Sequence, residues 1–239
     1  MKIDYKNVTD FTGWDKAEEY VQEIIKSNNY RTILELGAGA NPTISPEYIS
    51  VNNLTYTISD IDSEELAKAD DIYVKEVLNL NTKETSHTKT YDLIFSRMVG
   101  EHISNGYFYH RNIYSLLNPG GMAFHCFSTL YSIPFLINRL IPETFSEKLI
   151  DLFTSRDKYK HGKFKAYYSW CRGPSKRMIN KFENIGYDII EYIGYFGHNY
   201  YKKIPILNRL ERMKTMFLVR NHISFLTAYA HIIIKKGNI

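Results

Sequence analysis

The sequence predicts an α/β fold built on a parallel, doubly wound sheet. Three observations predict it. An apolar run, Ile33-Leu34-Glu35-Leu36, ends in the glycine bend Gly37-Ala38-Gly39. Strand-like and helix-like patterns alternate with short connections from residue 30 to residue 128. Polar residues fit for chemistry fall at or just beyond the ends of the strand-like runs. Alternation of this kind stacks into a parallel sheet, and ligands sit outside the carboxyl ends of its strands where the strand order reverses.

At 239 residues the chain is long enough for a substantial core, and 44% hydrophobic with 23% charged residues describes a soluble globular protein. A formal net charge of +4 leans mildly toward an anionic partner. Cys126 and Cys171 are the only cysteines, with no metal-ligand spacing, so no metal and a reducing cytoplasm are expected. The first residues lack an apolar signal region, and no apolar run approaches the ~20 residues that span a bilayer. The expected organisation is one domain over residues 1–239, with 129–172 inserted as a lid or acceptor-binding segment.

Taken in order, Val8 to Asn28 reads as a helix capped by Thr12, with Ala17, Tyr20, Val21, Ile24 and Ile25 on one face. Tyr5, Phe11 and Trp14 before it are expected to pack against the sheet edge. After the glycine bend, Ser45 caps a short helix that starts at Pro46. Leu54 to Asp60 alternates like a strand and ends in an acid, and Asp62 caps Ser63 to Ala69. Ile72 to Val77 is a third strand, followed by Leu78-Asn79-Leu80, and Tyr91 to Ser96 is a buried fourth. A helix to Leu117 leads into Pro119-Gly120-Gly121, read as a compact reversal before the strand Met122 to Ser128. Thr129 to Trp170 is too long for a simple connection and contains two helix-like segments. A helix from Pro174 to Ile185, a strand from Tyr187 to Tyr195, a helix from Ile204 to Leu218 and a β-type run from Ile223 to Lys235 complete the chain.

The bend itself narrows the ligand. A carboxylate at Glu35 repels a pyrophosphate and suits a cationic amino group, and Pro42 stands where a dinucleotide fingerprint wants its third glycine. A ligand with an amino-acid end, such as S-adenosylmethionine, fits both. Asp60 lies 21 residues past Gly39, close to the ~20 expected for an acid that accepts ribose hydroxyls. This stretch resembles motif I of the class I S-adenosylmethionine-dependent methyltransferases. "YDLIFSRMVGEHI … LLNPGGMAFHCFS" resembles their fourth- and fifth-strand motifs. The resemblance covers residues 30 to 128 in the family's order.

That resemblance implies a Rossmann-like sheet of seven strands, one of them antiparallel; past residue 128 the family pattern thins, and the long insertion at the ligand rim is read from its length as a helical lid. It implies S-adenosylmethionine against Glu35, Gly37, Ala38, Gly39 and Asn41 at the bend, and against Asp60 and Ile61 at the second strand's end. Asn79 and Leu80 follow the third strand, with Asn79 standing where many relatives carry an aspartate for the adenine amine. Ser96, Arg97 and Met98 end the fourth. Transfer from a sulfonium needs an aligned nucleophile and no metal. A sugar hydroxyl benefits from a general base, for which His102 and His125 are the candidates.

From Lys158 to Phe182 no acid interrupts a basic stretch interleaved with Tyr and Trp. Such a surface suits an anionic, ring-containing acceptor, so His161, Tyr167, Tyr168 and Arg172 join His198, Tyr200 and Tyr201 as candidate acceptor residues. "KFKAYYSWCRGP" also looks like a segment of methyltransferases that modify bacterial surface polysaccharides. The expected function is O-methylation of a sugar, or of a sugar-linked phosphoryl-type group such as a phosphoramidate, in capsule or surface-glycan biosynthesis. The expected acceptor is a small molecule or glycan rather than a nucleic acid. An RNA methyltransferase, a lipid or quinone methyltransferase in peripheral contact with a membrane, and a non-catalytic S-adenosylmethionine-binding protein stay open as alternatives.

Overall fold

The computed structural model describes residues 1–14, 16–130, 165–198, 201 and 204–237. The strands are β1 (Lys2–Asn7), β2 (Thr32–Leu36), β3 (Thr55–Asp60), β4 (Val74–Val77), β5 (Tyr91–Arg97), β6 (Leu117–Ser128), β7 (Tyr187–Phe196) and β8 (Tyr229–Lys236). The described helices are α1 (Ala17–Asn28), α2 (Pro46–Val51), α3 (Ser63–Ala67), α4 (Gly106–Leu116), α5 (Lys176–Glu183) and α6 (Pro205–Asn221). Among the described residues the strands form one sheet in the order β1-β7-β8-β6-β5-β2-β3-β4, in which only β8 runs against the rest.

From β2 the chain steps outward through β3 and β4, then returns to the other side of β2 as β5 and continues to β6. The order therefore reverses between β2 and β5, and a crevice opens beyond their carboxyl ends. Both faces of the sheet are buried. Ile33, Ile58, Phe95 and Phe124 face α1 and α3, which contribute Val21, Ile25 and Leu66. Leu34, Ile94, Ala123 and Ile232 face α4 and α5, which contribute Ile113, Leu116, Met178 and Phe182. Near-continuous apolar strands are the signature of a sheet covered on both sides.

Four expectations need correction. Among the described residues the sheet has eight strands rather than seven: β1 adds a parallel edge to β7, with Lys2 opposite Glu191 and Asn7 opposite Phe196. The first helix begins at Ala17, after a single helical turn at Val8–Asp10. Thr12 is not its cap, because its hydroxyl is bonded to His231 Nδ1 at 2.7 Å. Pro119-Gly120-Gly121 is not a reversal before the strand but part of β6, which starts at Leu117.

There β5 and β6 slip in register. Tyr91 pairs with Leu117 and Leu93 with Met122, so β6 loops out over the same two-residue step of β5. A Cβ on Gly121 would stand 2.9 Å from Asn118 O and 3.0 Å from Asp92 O, which is why the bulge needs glycine. Of the insertion expected over 129–172, residues 131–164, which include both helix-like segments, lie outside the described residues.

Other local expectations hold. Ser45 Oγ accepts from Tyr48 N at 3.4 Å at the start of α2, and Asp62 accepts from Glu64 N and Glu65 N at the start of α3. Phe11 and Trp14 pack against Tyr195 and Tyr229 at the sheet's end. Tyr5 lies in β1 itself.

Candidate active site

The crevice between β2 and β5 is shaped by the glycine bend. Gly37 holds φ +69°, and a Cβ there would lie 2.3 Å from Val99 Cγ2. Two constraints therefore select glycine at one position: the left-handed backbone, and the loop after β5 that closes onto it. Ala38 N donates to Ser59 O at 3.0 Å, tying the bend to β3, and Asn41 N donates back to Ala38 O at 3.0 Å.

Glu35 braces this bend. Its carboxylate is buried and accepts from Thr43 N at 2.9 Å, from the Thr43 hydroxyl and from Tyr56 OH at 2.6 Å. Burial pushes its carboxyl upward, and the bonds from Thr43 and Tyr56 and the charge of Arg97 act against that rise. Its visible work is to hold residues 37–43 in place, and the amino group of a ligand would meet a bend that Glu35 has fixed.

Asp60 ends β3 beside the bend. Its Oδ2 lies 3.6 Å from where a Gly39 Cβ would be, and its Oδ1 accepts from Asp62 N at 3.1 Å. Ile61 next to it is exposed. After β4, Asn79 is exposed and its Oδ1 accepts from Asn81 N at 2.9 Å, whereas Leu80 is buried. Asn112 of α4 donates to Leu80 O and Thr82 O, both at 2.9 Å, so this loop is anchored to α4. Across the crevice Ser96 is buried, and Met98 takes φ +58° while its N–H donates to Cys126 O at 2.8 Å. A left-handed methionine at a strand end is strained backbone held by its surroundings.

The turn after Met98 holds His102 and meets the segment expected from the sequence to contact the acceptor. Glu101 is buried and its Oε1 accepts from Ser128 Oγ at 2.9 Å. Its backbone carbonyl receives both Tyr167 N at 2.7 Å and Tyr168 N at 3.0 Å, so the basic, aromatic segment is stitched to the turn beyond β5. His102 Nδ1 donates to Lys165 O at 3.2 Å, which ties the ring to the basic, aromatic segment. Tyr167 is exposed under Lys165 Nζ, 5.3 Å from its ring centroid, and Lys181 Nζ sits 4.9 Å over Trp170. Tyr168 by contrast is buried in the core. Arg172 is half-buried, with Nη1 donating to Tyr168 O at 2.7 Å.

His125 is buried beneath this rim rather than exposed on it. It is buried within β6, with Nδ1 2.8 Å from Ser96 Oγ, and burial lowers its pKa to about 3. So weak a base suits a core histidine. His125, His110 and Tyr109 line a narrow cavity beneath Trp170 with room for a water-sized guest.

His198 and Tyr201 are not brought to the crevice. β7 is three strands from β5, roughly 14 Å at ~4.8 Å per strand. His198 is buried there against Glu211 of α6, with Tyr201 packed edge-on to it at 4.6 Å. His161 and Tyr200 lie outside the described residues. The braces Thr43, Tyr56 and Val99, and the Glu101 carbonyl, carry no local signal in the sequence, because each acts across a long loop or between strands.

The crevice fits S-adenosylmethionine on this structure's own terms. The bend leaves no room for a Cβ at Gly37, and an acid stands beside it with one oxygen turned toward Gly39. A family model described as a methyltransferase domain matches residues 12–192. No curated protein sequence matches the chain. Among solved structures, a methyltransferase dependent on S-adenosylmethionine from Clostridium acetobutylicum is similar, at 13% identity and TM-score 0.55 over 95% of this chain and 92% of that one. Phosphoethanolamine N-methyltransferase 2 of Haemonchus contortus, in complex with S-adenosyl-L-methionine, matches at 15% identity and TM-score 0.53 over 91% of this chain and 53% of that one. N-methyltransferase NodS of Bradyrhizobium japonicum, bound to S-adenosyl-L-homocysteine, matches at 10% identity and TM-score 0.52 over 95% and 89%. At these identities the structural likeness speaks for the fold.

Proposed function

The chain belongs to this methyltransferase-domain family and is an S-adenosylmethionine-dependent methyltransferase; from that premise we propose that its acceptor is an oxygen of a sugar, or of a sugar-linked phosphoryl-type group, in surface-glycan assembly. One observation carries the proposal. Tyr167 and Tyr168 both donate to the Glu101 carbonyl, which holds the segment of Lys165, Tyr167, Trp170 and Arg172 on the turn beyond β5. Cations there meet an anionic group, and aromatic faces meet a sugar ring.

The cofactor site in this reading consists of the bend at Gly37–Asn41 braced by Glu35, Asp60 and Ile61 toward the ribose, Asn79 and Leu80 toward the adenine, and Ser96, Arg97 and Met98 across the crevice. Bound S-adenosylmethionine supplies a methyl group on a sulfonium, an electrophile that needs no metal. The chain's part is alignment of the acceptor at about 3 Å and exclusion of water. For a hydroxyl acceptor, His102 takes the proton at Nε2 while Lys165 O holds its Nδ1–H. A phosphoryl-type oxygen is already anionic; there Lys165 and Arg172 offset its charge and no base is needed.

Mass spectrometry of nucleotide sugars and glycan extracts incubated with labelled S-adenosylmethionine tests the reading, and labelled sugar or phosphoryl oxygen is the expected product. His102→Ala should lower kcat by about 10²-fold on a hydroxyl acceptor while leaving acceptor binding intact. Label found only in RNA would refute the proposal.

A further inference from the structure

Helix α6 turns its buried residues, Glu211, Thr215 and Leu218, toward the sheet. Its opposite face carries Ile206, Leu210, Met213 and Phe217, at spacings of four, three and four, and these are 76%, 57%, 55% and 60% exposed. That spacing puts the four side chains in one stripe along the helix. Met216 and Phe225 are exposed as well. A contiguous apolar face on an outer helix marks an interaction site rather than scattered surface hydrophobics.

The charges on the same helix choose the partner. Arg209, Arg212 and Arg220 are all on the helix and all exposed. The helix has one acid, Glu211, which is buried and bonded to Lys214 at 2.6 Å. A second copy of the chain, docked through a two-fold axis, would set these arginines against their own counterparts with no outward acid on the helix to offset them. An anionic lipid surface offers the opposite: acyl chains for the stripe and headgroup charge for the arginines. No helix among the described residues is long and apolar enough to cross a membrane, and a helix of 17 residues with this charge pattern lies in the interface plane.

We propose that α6 docks the enzyme on an anionic membrane surface, with Ile206, Leu210, Met213 and Phe217 entering the headgroup boundary and Arg209, Arg212 and Arg220 facing the headgroups. Co-sedimentation of the full chain with vesicles of phosphatidylcholine, and of phosphatidylcholine mixed with phosphatidylglycerol, tests it. The protein should pellet with the anionic vesicles, and added salt should release it. Leu210→Asp combined with Phe217→Asp should abolish pelleting, and Arg209→Glu combined with Arg220→Glu should weaken it by about thirtyfold or more. Unchanged titration of S-adenosylhomocysteine in these variants shows that they remain folded. Protein left in the supernatant with both vesicle types would overturn the proposal, as would equal binding to both. A dimer in light scattering that Leu210→Asp splits would overturn it too, by assigning the stripe to a second copy.

Discussion

At Gly37, two independent constraints meet in one residue. Adding a methyl group there costs backbone strain at φ +69° and a collision with Val99 at 2.3 Å. Gly37→Ala should therefore lose about 2 kcal/mol or more of stability. It should also weaken S-adenosylhomocysteine binding, because the bend must shift. Thermal melts and calorimetric titration would check both, and a variant equal to the parent in each would show that the bend is more pliable than it looks. The glycine was legible in the sequence because a strand running into Gly-x-Gly is a local pattern. Glu35 was legible only as an acid at the right place. What occupies its oxygens, Thr43 eight residues on and Tyr56 on the next strand, is set by tertiary packing.

His125 supplies a pH signature at the same scale. Its pKa is about 3 in the folded chain, against about 6.5 when unfolded. Between those values the unfolded chain binds the extra proton, so stability falls as pH drops below about 6.5 and the contribution levels off below about 3. His110 is buried and shifts in the same direction, so the parent's slope is shared. His125→Asn should then remove about 2 kcal/mol of the stability lost between pH 7 and pH 5. Denaturant melts at the two pH values give the difference directly, and parallel losses in parent and variant would contradict it.

Among the elements, β1 shows where sequence patterning falls short. Lys2–Asn7 is a half-exposed edge strand whose partner residues in β7 are far along the chain, so nothing local announces it. Beyond its backbone pairing with β7, it is tied in by the side chain of Glu191, which accepts from Lys2 at 2.5 Å, Tyr20 OH at 2.5 Å and His231 Nε2 at 2.8 Å. His231 Nδ1 in turn meets Thr12 at 2.7 Å, the contact that displaced Thr12 from its expected cap. The bond from His231 chiefly holds the Glu191 carboxyl far below the usual range, despite burial. Glu191→Ala leaves this buried network without its anion and should cost about 3 kcal/mol. A chemical melt that moves by less than a third of that would show that β1 and α1 are held mainly by packing. By contrast the caps at Ser45 and Asp62, and the strands β2, β3 and β5, were readable, because caps and buried apolar runs are written within a few residues.

Across the whole molecule, the topology assembles what no single stretch could. The reversal between β2 and β5 brings the bend, Asp60 and Met98 to one crevice, and the Glu101 carbonyl adds the basic, aromatic segment beside it. The parallel sheet and the order of motifs were legible from alternation and spacing, whereas the placement of His125 in the core and of His198 under α6 was not. Alternation tells which strand a residue belongs to, while its distance from the crevice depends on how far along the strand it sits and where that strand falls in the sheet order.

The most direct test of this account is calorimetric titration of S-adenosylhomocysteine into the parent protein and into Asp60→Ala. Asp60 has a carboxylate oxygen turned toward Gly39 at the end of β3, so its removal should weaken binding by about tenfold or more, while loss of the bond from Asp62 N lowers stability by only about 1 kcal/mol and the protein stays folded. Equal affinity in parent and variant would place the nucleoside somewhere other than the crevice between β2 and β5.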